Sequence, residues 1–297
     1  MYKTAKKFAV VGGDLRQACL ANSLIEHNMT NSVSCLFLNN EVELCNDINI
    51  SNDYKFILAN ADIVIMGLPI SLDNTYLNTP FSDEKIEIKE LFKHINKTAF
   101  VLGGMSSHYI DSIAQEYDIE INDYFSREEL AVLNAVPTAE GALEIAMKEL
   151  PITIFGSTCM VIGFGRVGKA LAKILLGCGA NVIVAARTYE DLANAKINGC
   201  DTVMLKDFDN KLQNIDVLFN TAPAMIMNET CLKKINKSCL IIDLASKPGG
   251  VDFDMAKELG LKVVWALSLP GKVAPISAGN IILNTIINMI DEKGKYI

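Results

Sequence analysis

The sequence is poor in the residues that staple small or metal-dependent folds. Its 297 residues include eight cysteines, three histidines and one tryptophan. No two cysteines stand in a CxxC pair and no histidine cluster accompanies them, which argues against a zinc site or any other metal site. Cys19, Cys35, Cys45, Cys159, Cys178, Cys200, Cys231 and Cys239 therefore read as reduced, mostly buried thiols of a cytosolic, cytoplasmic protein. An excess of positive charge is also missing. Lysine and arginine number 27 against 35 acids, a net charge of −8, so neither nucleic acid nor an anionic membrane is an expected partner. There is no low-complexity segment and no short-period repeat. The basic start MYKTAKKFAVVGGD carries an apolar run of only four residues, which reads as a first strand and not as a signal peptide. One apolar stretch, VAPISAGNIILNTIINMI (273–290), nears membrane-spanning length. Ser277, Asn280, Asn284 and Asn288 put a polar stripe on it, so it reads as a soluble helix with a wide buried face.

What is present is hydrophobic mass and alternation. Half the residues are hydrophobic and 21% are charged, enough for two domains of about 100–200 residues, each with its own core. A first series of strands reads at 6–11, 32–38, 61–69, 97–104 and, by period-two alternation, 119–125. Helix patterns follow the first strand (15–27) and the fourth (106–117). PTAEGALEIAMKEL (137–150), with proline near its start, reads as a helix running between domains. A second series follows with STCMVIG, ANVIVAA, DTVML, IDVLFNTAP, CLIIDLA and KVVWALS. The fold class is α/β: two Rossmann-like doubly wound parallel-sheet domains with a cleft between them. The C-terminal helix is expected to return to the first domain. The domains are expected at 1–136 plus 272–297 and at 151–271, joined by the helix 137–150.

The most informative stretch is Gly163-Phe164-Gly165-Arg166-Val167-Gly168. GxGxxG alone is a weak signal, but here an apolar strand precedes it and a helix and a second strand follow. Gly163 then permits the tight turn, Gly165 lets the backbone approach a pyrophosphate, and Gly168 lets helix and strand pack closely. The alternative is a Rossmann-like turn with no ligand. The second strand ends in Ala185-Ala186-Arg187-Thr188, where an NAD binder usually places an acid for the ribose hydroxyls. A guanidinium suits a 2′-phosphate, so the expected cofactor is NADP, with Thr188 assisting or merely capping the next helix. Asn220-Thr221-Ala222-Pro223 and Ser246-Lys247 lie at strand ends, where open sheets bind ligands, although ordinary turn chemistry would also place them there. By contrast, the first domain's Gly12-Gly13-Asp14 sets an acid where a phosphate would sit.

Taken together, VVGGDLRQ (10–17), VPTAEG (136–141), GFGRVG (163–168), NTAPAMIMN (220–228), DLASKPGGVDF (243–253) and LPGKVAP (269–275) resemble the A-subunit of dipicolinate synthase from endospore-forming bacteria. They span nearly the whole chain in order. Lys247 departs from the family's arginine; the charge survives but a bidentate fork does not. The resemblance implies an NADP-dependent oxidoreductase in the mother cell of a sporulating bacterium. With the flavoprotein-like B-subunit of dipicolinate synthase it would aromatise dihydrodipicolinate or 4-hydroxy-tetrahydrodipicolinate to dipicolinate, the chelator of calcium in the spore core. A homo-oligomer is also expected.

A small dicarboxylate substrate needs local positive charge in so acidic a chain. Arg16, Lys247 and Lys272 are the candidates, with Ser106, Ser107 and Ser246 as hydroxyl partners. His108 titrates in the useful range and is the candidate proton acceptor; Glu140 is comparable, or instead bonds Arg16. Each basic residue could equally be a solvated surface group. Two other readings stay open: a non-catalytic NADP-binding scaffold whose partner does the chemistry, and a stand-alone dehydrogenase built like alanine dehydrogenase or acting on a 2-hydroxy acid.

Overall fold

The computed structural model describes residues 5–38 and 41–295. The chain forms two compact units, one of Met1–Leu133 with Ala274–Ile297, the other of Asn134–Val273.

In the first unit β1 (Lys6–Val11), α1 (Leu15–Ile25), β2 (Thr30–Leu36), β3 (Asn49–Ile50), α2 (Tyr54–Asn60), β4 (Ile63–Met66), α3 (Ile88–Phe92), β5 (Phe100–Gly103), α4 (His108–Glu116) and β6 (Ile121–Asp123) follow one another. α5 (Glu128–Glu149) leads into the second unit, which holds β7 (Thr158–Ile162), α6 (Arg166–Gly177), β8 (Asn181–Ala186), α7 (Tyr189–Ile197), β9 (Asp201–Met204), β10 (Val217–Asn220), α8 (Glu229–Leu232), β11 (Leu240–Asp243), α9 (Phe253–Glu258), β12 (Lys262–Trp265) and α10 (Leu269–Val273). α11 (Pro275–Lys295) belongs to the first unit.

Each unit has one six-stranded sheet, in the orders β3-β2-β1-β4-β5-β6 and β12-β11-β10-β7-β8-β9, with every strand pair parallel. Both are the Rossmann order, with the chain reversing direction across the sheet beside β1 and beside β7. Strand side chains alternate between two buried faces. Ala9 and Val11 face one core of the first sheet while Phe8 and Val10 face the other. Cys159 and Val161 are likewise divided from Met160 and Ile162 in the second. Burial on both faces is why these strands read as unbroken apolar runs.

α11 packs on α1. A Cβ on Gly279 would lie 2.6 Å from the Arg16 carbonyl, so the two helices touch backbone to backbone there, and Ser23 donates to Asn280 at 2.7 Å. Arg127 adds a bidentate pair with Glu292, at 2.8 and 2.7 Å.

Two expectations need correction. The helix expected from Pro137 starts at Glu128, with Pro137 inside it. Glu128 and Glu129 favour that earlier start by facing the positive end of the helix dipole, and Pro137 removes only the bond to the Leu133 carbonyl. The last helix, expected over 273–290, begins at Pro275, because residues 269–273 form the separate short helix α10. β3, α2 and α3 are too short for periodicity to reveal. α5 has the length and hydropathy of a membrane span, a property shared by core helices; Ala139, Ala142 and Ala146 bury its second half in the core of the second unit.

Candidate functional site

The second unit offers an open turn at the strand reversal beside β7. Gly163 has φ +91°, and a Cβ there would meet Thr221 Oγ1 at 2.6 Å. A Cβ on Gly168 would lie 2.2 Å from the Gly163 carbonyl oxygen, so helix α6 can start this close to β7 only with glycine at that position. Gly165 differs from both. It is the N-cap of α6, has an ordinary φ of −77°, and its Cβ would meet nothing within 4 Å. No protein contact explains that glycine, and no side chain caps the helix. An uncapped helix start beside an empty space the size of a missing methyl fits a pyrophosphate. Of the other turn residues, Phe164 is buried in the core, Val167 is half-buried, and Arg166 is exposed.

At the end of the next strand Arg187 is exposed and makes no ion pair among the described residues. Thr188 caps α7: its hydroxyl accepts from the Asp191 N–H at 3.1 Å and donates to the Asp191 carboxylate at 2.8 Å. Glu190, in the first turn of α7, is exposed.

The ends of β10 and β11 are tied together below the surface. Asn220 and Asp243 are both 0% exposed. The Asp243 carboxylate accepts from Asn220 Nδ2 at 2.8 Å, Ala245 N–H at 3.0 Å and Gly250 N–H at 2.8 Å. Asn220 Nδ2 also donates to the Ala222 carbonyl at 3.0 Å. Sequence reasoning assigned Asn220 to the cofactor, but its side chain is engaged inside the protein, as is Thr221 Oγ1, which donates to the Ile162 carbonyl at 2.8 Å. Ala222 and Pro223 remain accessible. Asp243 was missed as an anchor because its partners lie 23 residues upstream and up to seven downstream. It holds the loop that presents Ser246 and Lys247 to solvent. Lys272, on α10, and Glu140, on α5, are exposed.

The first unit's turn is closed by its own chain. The Gly13 N–H donates to the Asn78 carbonyl at 2.8 Å, and Asp14 caps α1, with Gln17 completing a capping box. Arg16 is 8% exposed; it pairs with Asp14 at 2.7 Å and donates to the Leu68 carbonyl at 2.6 Å. Its acid is therefore Asp14, not Glu140, and its guanidinium joins the ends of β1 and β4. Gln17 donates to the Tyr124 hydroxyl at 3.3 Å, which donates to the Met66 carbonyl at 2.9 Å. Burial pushes the Tyr124 phenol well above its ordinary range, so it remains a donor. Ser106 donates to Asp111, and Ser107 caps α4 while donating to Asn74 at 2.8 Å. His108, first residue of α4, is exposed. All eight cysteines are free, and no group of three or more His, Cys, Asp or Glu among the described residues could hold a metal.

Known proteins resemble both parts of the chain. Residues 7–125 match the N-terminal domain of the dipicolinate synthase A-subunit, and residues 138–252 match the NAD binding domain of D-isomer specific 2-hydroxyacid dehydrogenases. The chain is 31% identical to the dipicolinate synthase A-subunit of Bacillus subtilis (strain 168) over 306 residues, which cover 97% of each. Crystal structures of that protein from Bacillus halodurans and Bacillus subtilis match with TM-scores of 0.87 each, at 28% and 30% identity. They cover 96% and 99% of this chain and 98% of theirs. These matches support an oxidoreductase with a nicotinamide cofactor. The chain belongs to the dipicolinate synthase A-subunit family.

Proposed function

We propose that the chain is the NADP-dependent oxidoreductase component of a dipicolinate synthase, working with a flavoprotein-like B-subunit in the mother-cell cytoplasm during sporulation. The observation that carries this reading is the end-to-end likeness to a protein named as that component, in a chain whose α6 turn is open where a pyrophosphate would lie. The relative is named as one subunit of its enzyme, which supports a partner chain, and self-association is part of the same proposal.

Loss of one hydride and one proton from dihydrodipicolinate leaves the aromatic dicarboxylate; the hydroxytetrahydro form must first lose water. A bound nicotinamide dinucleotide supplies the hydride acceptor. The protein's part is to orient the ring, balance two carboxylates and take the proton. Gly163, Gly165, Gly168 and the start of α6 hold the pyrophosphate, and Arg187 takes the 2′-phosphate. Thr221 fixes the turn from behind, leaving the Ala222-Pro223 backbone and Ser246 for the ribose and nicotinamide side. Lys247 and Lys272 supply mobile positive charge, whereas Arg16 holds its own domain together. Ser106 and Ser107 are engaged by Asp111 and Asn74, so they act by shaping the loop ahead of His108. His108 takes the proton, with Glu140 as the second candidate.

The test is nicotinamide absorbance with NADP and the dihydrodipicolinate precursor, with and without the B-subunit, on the wild type and on His108→Gln and Lys247→Ala. The expected result is turnover that falls at least tenfold in both variants while NADP binding is kept, the size expected for lost acid–base catalysis or a lost charge contact. Undiminished turnover in both variants, dependent on the B-subunit, would make the chain a scaffold instead.

A further inference from the structure

We infer that Lys206 is the second cation of a clamp on the 2′-phosphate of the coenzyme, and so a determinant of NADP over NAD. The inference rests on the dinucleotide reading of the α6 turn and adds a residue that the sequence motif does not reach. It comes from strand register. β9 pairs with β8 on the side away from the glycine turn, with Met204 opposite Ala186, and the Leu205 N–H continues the ladder to the Ala186 carbonyl at 2.9 Å. The next residues of the two strands are thus neighbours, Arg187 and Thr188 on one and Leu205 and Lys206 on the other. The chain then turns at once, because the Asp207 N–H donates to the Met204 carbonyl at 2.9 Å. Lys206 stands at the third position of that four-residue turn, exposed, with its backbone fixed on both sides.

The charges around this corner favour an incoming anion over internal pairing. Neither Arg187 nor Lys206 makes an ion pair among the described residues. Of the acids on the flanking segments, Asp191 accepts from the Thr188 hydroxyl and Asp209 pairs with Lys234. Glu190 and Asp207 are exposed and pair with neither cation. A lone guanidinium among these carboxylates would be a weak anion site. Two cations on adjacent strand ends, one residue apart in register, would instead flank the position where NADP carries a dianion that NAD lacks.

Calorimetry with 2′,5′-ADP and 5′-AMP as probes tests this without catalysis, on wild type, Lys206→Ala, Lys206→Arg and Arg187→Ala. The expected result is that Lys206→Ala weakens 2′,5′-ADP about five- to tenfold, leaves 5′-AMP unchanged, and flattens the salt dependence for 2′,5′-ADP by about one charge. Lys206→Arg should restore binding, and melting temperatures should agree with wild type. Equal affinity of Lys206→Ala and wild type for 2′,5′-ADP, or an equal loss for both probes, overturns the role of Lys206 while leaving NADP in place if Arg187→Ala still loses 2′,5′-ADP selectively. A wild-type chain that binds the two probes equally overturns the NADP reading together with the clamp.

Discussion

The glycines of the α6 turn make a sharp contrast that two methyl groups can test. In Gly168→Ala the new Cβ would start 2.2 Å from the Gly163 carbonyl oxygen, where ordinary contact begins at 3.4 Å. Both partners are backbone, so helix and strand must separate by about 1 Å, and overpacking of that kind costs about 1–3 kcal/mol. The upper end applies because no flexible side chain can yield. For a unit of this size that lowers the melting temperature by roughly 10 °C. In Gly165→Ala the methyl enters open space at a φ alanine adopts freely. About 0.5–1 kcal/mol lost at the N-cap is offset by a gain of similar size from a less flexible unfolded chain. Its melting temperature without coenzyme should therefore match wild type. Adding coenzyme at about 100 times its Kd should stabilise wild type by about 2.7 kcal/mol and Gly165→Ala hardly at all, because the methyl fills the place the pyrophosphate needs. Differential scanning calorimetry with and without NADPH reads both effects. Wild-type stabilisation of Gly165→Ala by coenzyme, or a wild-type melt for Gly168→Ala, would refute the reasoning.

Other outcomes follow from the same structure. Arg187→Ala should weaken NADPH about tenfold and leave NADH nearly unchanged, read by nicotinamide fluorescence. Asp243→Ala leaves the Asn220, Ala245 and Gly250 donors without their acceptor in a buried site, which should cost roughly 3 kcal/mol or more in urea denaturation. Thiol titration at pH 8 should label exposed Cys45 first and Cys35, Cys159 and Cys239 only on unfolding, since burial pushes the last three up to about 12, 11 and 12. Those raised values also set a sign: above pH 9 the unfolded chain loses thiol protons that the folded chain keeps, so stability should fall as pH rises through that range.

The second sheet was the more legible of the two. Its four inner strands are largely buried and its two edge strands half-buried, so each shows as an apolar run, and a glycine turn marks the first. The first unit hides β3 in two residues and α2 and α3 in seven and five, too few for a repeating pattern to stand out. Pro137 misled because proline usually marks a helix start, and only a bond to Leu133 is lost when it does not. Functional residues divided in the same way. Gly165 and Arg187 could be singled out from the sequence because the motif that marks them is local, and the structure leaves both accessible. Arg16 and Asn220 were not, because Leu68 and Asp243, which occupy them, come close only in the folded chain. Asp14 was seen as an acid in a phosphate's place, and the structure adds that its carboxylate caps α1 there. Lys206 carries no motif and becomes visible only through its pairing register.

The placement of α11 has a consequence for biosynthesis. Residues 134–273 are contiguous and can collapse as soon as they leave the ribosome. The earlier sheet cannot finish then, because the face of α1 that receives Gly279 and Asn280 awaits a helix translated some 250 residues later. Leu20 and Leu24, fully sequestered in the mature fold, lie in the core that α11 completes through Ile282, Leu283 and Ile286. For most of translation that nascent surface is sticky and in need of chaperoning, so truncation or delayed synthesis of the last helix should send the front half of the polypeptide, rather than the back half, into aggregates.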